Sequence, residues 1–116
     1  MSFSYKYPIT SGYGTVNNTT PSISLLAAPG AGKLLRICAG IVIVQVAAVG
    51  GSGIVTLQDG STDILEWDAN SVNSFPINLT EIGLALGTNN ALTLLVGEAV
   101  TTQATVYAAF TAYIVQ

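Results

Sequence analysis

The chain has 116 residues, half of them hydrophobic, which is enough for one domain with a core and excludes an intrinsically disordered chain. It carries only three basic and six acidic residues, nine charges in all, and a net charge of −3. Because nucleic-acid phosphates are bound by clusters of Lys and Arg, a nucleic-acid-binding protein is excluded. A typical domain of this length has about 29 charged residues. We therefore expect partners to cover much of the protein surface.

The N-terminal segment, residues 1–21, differs from the rest of the chain. Aromatic and aliphatic residues alternate there with Ser, Thr, Gly, Asn and Pro, and prolines at positions 8 and 21 favour extended backbone. A frayed end would more often be charged or simply small and polar. We interpret residues 1–21 as an extended arm that precedes a folded domain of residues 22–116. The residues expected to bind a partner are Phe3, Tyr5, Tyr7, Ile9 and Tyr13.

From residue 22 onward, short runs rich in Val, Ile, Leu and Thr alternate with turn signals such as Asp59-Gly60-Ser61. Strands are predicted over 22–28, 33–49, 54–58, 62–67, 75–79, 91–96 and 104–115. Residues 80–86 are predicted to form a single helical turn. The pattern predicts an all-β protein, an antiparallel jelly roll or β-sandwich of about eight strands.

Two of these strands indicate self-association. In the last strand, the even-numbered positions are all apolar and predict a core face, whereas the odd-numbered positions are mixed. Residues 37–44 are apolar on both faces, although the outer face of an antiparallel sandwich is normally polar. A neighbouring subunit would cover that face most simply, and a crossing strand or the folded-back arm would also do so. The predicted subunit interface consists of Ile41, Val42, Ile43, Val44, Tyr107 and Tyr113.

Residue types that support catalysis are scarce. The sequence has no histidine, and its one cysteine, Cys38, lies in an apolar strand. The carboxylates of Asp63, Glu66 and Asp68 do not have the spacing of a calcium-binding loop, and we interpret them as solvated turn residues. Trp67 could stack on a sugar, but a packing role is more common for a single tryptophan. We expect no enzymatic activity, no cofactor, no metal and no small-molecule substrate.

The apolar run over 37–49 is also too short for a membrane-spanning helix, which needs about 20 residues, and the β-branched residues within it favour a strand. The N-terminus has no basic region followed by an apolar run, so no secretory signal is expected. These features predict a protein that is made in the cytoplasm and does not bind membranes.

Three segments taken together resemble small phage virion proteins: SLLAAPGAGKLLRICAGIVIV (24–44), GIVTLQDGSTDILEW (53–67) and LTLLVGEAVTTQATVYAAF (92–110). The resemblance implies a jelly roll, often trimeric, used as a capsid decoration (cement) protein or within tail and fibre assemblies. It implies no catalytic residue. We therefore expect a homotrimer on the outer surface of a phage capsid that clamps adjacent major capsid subunits, with the arm lying along them. The alternative is a tail-fibre or tail-associated module that binds a receptor or glycan.

Overall fold

A computed structural model describes residues 8–17, 21–46, 54–69, 71–78, 83–96 and 105–116. These ranges contain nine β-strands and no helix, and hence no helix that could cross a membrane. The strands are β1 (Ile9–Val16), β2 (Ser22–Leu26), β3 (Leu34–Val46), β4 (Ile54–Asp59), β5 (Thr62–Asp68), β6 (Asn73–Asn78), β7 (Leu84–Ala85), β8 (Leu92–Val96) and β9 (Thr105–Val115).

The strands form two antiparallel sheets that pack face to face. Sheet A has the order β1-β9-β3-β6, with the short β7 also paired to β3, and sheet B has the order β2-β8-β4-β5. If β7 is left out, the eight remaining strands are arranged 1-8-3-6 and 2-7-4-5. In each sheet, a strand from the C-terminal part of the chain lies between two strands from the N-terminal part: β9 between β1 and β3, and β8 between β2 and β4. This is the strand order of a jelly roll, which consists of two Greek keys. The all-β jelly-roll prediction is confirmed.

The first strand changes the predicted boundary of the folded domain. Residues 9–16, assigned to the arm from the sequence, pair in continuous antiparallel register with β9, from Ile9 opposite Tyr113 to Val16 opposite Val106. Val16 is fully buried in the core. The domain therefore includes β1, and a boundary at residue 22 is wrong, because β1 forms one edge of sheet A. The arm interpretation remains a prediction for residues 1–7, which lie outside the described residues.

The long strand β3 contains a bulge at Cys38 that decides which residues face the core. Its pairing with β9 shifts between Ile37 and Ala39, and the Cys38 thiol donates a hydrogen bond of 3.2 Å to the Thr111 carbonyl. One extra residue reverses the side-chain alternation. Odd-numbered residues therefore face the core before the bulge, and even-numbered residues face it afterwards. The buried members of β3 are Leu35, Ile37, Val42 and Val44.

The core lies between the two sheets. In β9 the even-numbered positions from Val106 to Ala112 are buried, which confirms the predicted alternation of that strand. Gly40, opposite Phe110, has a special role. A Cβ at this position would lie 2.2 Å from the ring, so glycine allows Phe110 to lie flat across β3. This contact keeps the phenylalanine ring inside the core.

The predicted helical turn over 80–86 is wrong where the structure describes it. Leu84 and Ala85 form β7, which pairs with Ile37 and Arg36 of β3, and Gly83 before it has a positive φ of 71°. Pairing along β3 satisfies backbone groups that an isolated helical turn would leave open, and this outweighs the local helix signal.

Candidate protein-interaction surface

The outward side of sheet A is the candidate functional surface. The registers of the strand pairs show which residues lie on it. Residues directly opposite each other in a β-ladder point to the same side of the sheet. At the margin before the Cys38 bulge, Leu34, Arg36, Ala85 and Val115 also point away from the core. The other outward residues form the set that we call the sheet-A outer face: Ile9, Ser11, Tyr13, Thr15, Ala39, Ile41, Ile43, Ser74, Pro76, Asn78, Tyr107, Ala109, Thr111 and Tyr113.

An open depression of about 480 Å³ lies near the middle of this face. The rings of Tyr13 and Tyr107, whose centroids are 6.4 Å apart, stand on one side of it. Small residues, including Ala39 and Ala109, line most of the rest, together with Ile41 and Phe110. Tyr13 is 76% exposed, which is a large aromatic area left in water. The depression therefore combines exposed aromatic groups with room for an apolar side chain of a partner.

Charge distinguishes the outward sides of the two sheets. The sheet-A outer face contains no charged residue within the set defined above. Arg36 points to the same side at its margin, directly opposite Tyr113 and before the Cys38 bulge. Sheet B instead presents three carboxylates on β5: Asp63, Glu66 and Asp68. The low overall charge of the chain is thus distributed unevenly. Interface cores are depleted of charged residues and enriched in aromatic ones, so sheet A has the composition expected of a buried contact.

Four of the six predicted interface residues lie together on this face: Ile41, Ile43, Tyr107 and Tyr113. The prediction is wrong for the other two, Val42 and Val44, because both side chains are 0% exposed within the domain and cannot contact a neighbour. A single strand cannot present consecutive residues to one side, since side chains alternate.

Of the predicted arm residues, Ile9 and Tyr13 lie on the same face, and they are 49% and 76% exposed. Phe3, Tyr5 and Tyr7 lie outside the described residues. The sequence analysis missed Ala39, Ala109 and Thr111 as part of this face. The alternation of the last strand does place Thr111 and Ala109 on its odd side, but only the position of the Cys38 bulge assigns Ala39 to the same surface.

The acidic residues do not form a common site. Asp59 accepts hydrogen bonds from the Gly87 backbone N–H at 2.9 Å and from the Asn90 side-chain amide at 2.9 Å. Asp63 accepts a bond of 2.7 Å from the Gln58 side chain. Within the described ranges, no group of three or more side chains could hold a metal ion. Asp59 thus joins the β4–β5 turn to the loop before β8.

Trp67 packs against the core and is partly buried, with its ring centroid 6.0 Å from that of Phe75. The packing role expected from the sequence is therefore confirmed. The part of the ring that is available for stacking on a sugar is correspondingly reduced.

Comparison with known proteins identifies a shared fold. A chain of the cyanophage Pam1 capsid asymmetric unit superimposes with a TM-score of 0.54 and 14% sequence identity, covering 97% of this chain and 89% of that chain. At this identity the similarity concerns the fold, and it extends over nearly the whole length of both chains. No protein-family model and no curated protein sequence matched.

Proposed function

We propose that this protein is a structural component of a phage virion, a decoration protein that binds the outside of the capsid as a homotrimer and stabilises contacts between major capsid subunits. It acts by contact alone, without catalysis, a cofactor or a small-molecule substrate. The single observation that carries the proposal is the uncharged, aromatic outer face of sheet A, in a jelly roll that shares its fold with a chain of a phage capsid.

The unequal charge of the two outward sides supports a specific orientation. A surface that stays in water benefits from charge, because charge keeps particles apart and soluble. The carboxylates of β5 therefore suit the side that faces solvent on the virion. The sheet-A outer face suits protein contact, with neighbouring copies and with the capsid surface below them.

The test is co-sedimentation with shells assembled from the major capsid protein of the same phage. The wild-type protein is expected to bind to a fixed number of copies per shell and to raise the temperature at which the shells disassemble. Two matched variants separate the surfaces. Thr111→Glu places a carboxylate on β9 in sheet A, and Thr93→Glu places the same group on β8 in sheet B.

Both threonines are partly exposed, and each lies on the strand next to an edge strand, β9 beside β1 and β8 beside β2. Both variants should therefore fold. Thr111→Glu should weaken shell binding at least tenfold, whereas Thr93→Glu should change it less than twofold. Equal effects of the two variants, or the absence of saturable binding by the wild-type protein, would contradict the proposal.

The alternative, a glycan- or receptor-binding module of a tail fibre, predicts another result. Such a module would lose ligand binding on Trp67→Ala and would be indifferent to Thr111→Glu. A glycan array probed with the wild-type protein and Trp67→Ala, alongside the shell assay, distinguishes the two functions.

A further inference from the structure

The jelly roll has four sheet edges, and three of them are protected against pairing with another chain. An exposed edge strand offers unpaired N–H and C=O groups, which proteins guard with charges, proline, bulges or shortness. Strand β6 contains Pro76, and β5 carries Asp63, Glu66 and Asp68. Strand β2 has five residues, and its register with β8 is interrupted after Ser24.

The fourth edge, β1, has none of these features. Its eight residues include no charge and no proline, and its register with β9 is continuous from Ile9 to Val16. Among the described strands it pairs with β9 alone, so its other side is open. In an antiparallel pair, the backbone groups of alternate residues point away from the partner strand. Within the part of the chain that the structure describes, strand β1 therefore presents an uninterrupted row of unpaired hydrogen-bonding groups.

The residues just before β1 have the pattern of a strand that would fit this edge. Aromatic residues Phe3, Tyr5 and Tyr7 alternate with Ser4 and Lys6. Strict alternation over such a stretch is typical of a half-buried strand. The sole charge, on Lys6, falls on the polar side, so the aromatic side is as uncharged as the sheet-A outer face.

Pro8 disfavours a tight hairpin between this segment and its own β1. A residue before proline is restricted to extended conformations, whereas a two-residue hairpin turn at positions 7 and 8 would require a positive φ at Tyr7. A longer turn would use Tyr5 and Tyr7 and leave only Phe3 over the sheet. The carbonyl of Pro8 also accepts a hydrogen bond from the Ile114 N–H at 2.8 Å, which holds the chain beside the end of β9. These constraints favour pairing with a neighbouring copy.

We propose that residues 3–7 of a second copy of this chain add as a strand to the open edge of β1, with Phe3, Tyr5 and Tyr7 on the same side as Tyr13. This inference rests on the self-association in the proposed function. In a closed ring, each copy can donate its segment to the next and receive one from the previous copy. Strand addition satisfies backbone groups on both chains, and the alternate side chains provide specificity. It assigns the arm to a neighbouring copy rather than to the capsid.

Hydrogen exchange by NMR provides the first test, on the full chain and on a variant that lacks residues 2–7. In the full chain, the β1 amides that point away from β9 should exchange at least tenfold more slowly than in the truncated variant. The β1 amides bonded to β9 should change less than twofold, because truncation leaves that ladder intact. Light scattering at matched concentrations should show a lower mass for the truncated variant.

Two point variants test the alternation without removing the segment. Tyr5→Ser should raise the dissociation constant of the oligomer at least tenfold, and the adjacent Lys6→Ser should change it less than twofold. Mixed oligomers of isotope-labelled and unlabelled copies should give contacts between Tyr5 and β1 that arise only between copies.

Unchanged β1 exchange after truncation, equal effects of Tyr5→Ser and Lys6→Ser, or contacts within one copy would each overturn the inference. Protection of the open edge that develops only on adding capsid shells would also overturn it and assign the segment to the capsid protein. Failure of the proposed function is a separate result, since a protein that exchanges its segments but does not bind shells would refute the decoration role alone.

Discussion

Replacing adjacent residues of β3 with aspartate should separate folding from assembly. Val42 is 0% exposed and lies between Ala108 on β9 and Phe75 on β6. Val42→Asp loses about 1.5–3 kcal/mol of apolar burial. Burial also raises the pKa of a carboxyl by up to about 3–5 units, at about 1.4 kcal/mol each. The total, about 5–10 kcal/mol, is comparable with the whole stability of a typical domain, about 5–15 kcal/mol. This variant should not fold.

Ile43 lies on the opposite side of the strand, beside Tyr107 and Ser74, and is partly exposed. In a single copy, an aspartate there reaches water, so the expected cost is about 1 kcal/mol of strand preference. Buried at a subunit contact, the same carboxylate would raise the dissociation constant at least a hundredfold, or about 2.7 kcal/mol. Ile43→Asp should therefore remain folded and become monomeric.

Circular dichroism and light scattering at micromolar concentrations, on the wild-type protein and both variants, measure these outcomes. A wild-type mass of one subunit would refute assembly through the sheet-A outer face, as would an Ile43→Asp variant that remains trimeric. A folded Val42→Asp variant with a wild-type melting temperature would refute the assignment of core and outer faces that follows from the Cys38 bulge.

Three further predictions concern the fold. Gly40→Ala should destabilise the domain by about 1–3 kcal/mol in urea unfolding, because the new Cβ meets the Phe110 ring, and adding Phe110→Leu should restore part of that loss. Asp59→Ala should lower the free energy of unfolding by about 1–3 kcal/mol, because it leaves donors in the neighbouring loop without their acceptor. Asp63 is more exposed, so Asp63→Ala should lower it by under about 1 kcal/mol. Deleting residues 2–16 should prevent cooperative thermal unfolding, because it removes an edge strand and the buried Val16. Deleting residues 2–7 should shift the melting temperature by only a few degrees. Equal effects of the two deletions would contradict the placement of β1.

The sequence predicts the fold well where alternation and turn residues are strong. Strand β9 and the β4–β5 hairpin at Gly60 follow directly from such signals. The sequence places β1 in the arm because Pro8 and Pro21 bracket an extended segment of aromatic and small polar residues. Gly12 and Gly14 also lower its strand character. Their role depends on a second strand, since a Cβ at Gly12 would collide with the Leu25 carbonyl of β2. Such long-range contacts leave no mark on local periodicity.

The candidate surface depends on the same kind of information. Apolar character on both sides of 37–44 indicates that something covers the outer side, but it does not say which residues form that side. One extra residue decides this. With the bulge at Cys38, β3 places Ile41 and Ile43 outward and Val42 inward; without it, the alternation set by buried Ile37 would continue and reverse these assignments.

The bulge also connects the scarcity of charge to the proposed arrangement on the virion. Before Cys38, the outward side of β3 carries Arg36. Beyond it, the outward residues are Ala39, Ile41 and Ile43, which lie beside the equally uncharged odd side of β9. The charged and uncharged parts of sheet A therefore meet at the Cys38 bulge, where the side-chain alternation of β3 reverses. A surface of this composition would be a disadvantage for a protein that stays monomeric, because nothing on it opposes association. In the proposed arrangement on a shell, neighbouring subunits would protect the same surface from water, and the carboxylates of β5 would face the solvent.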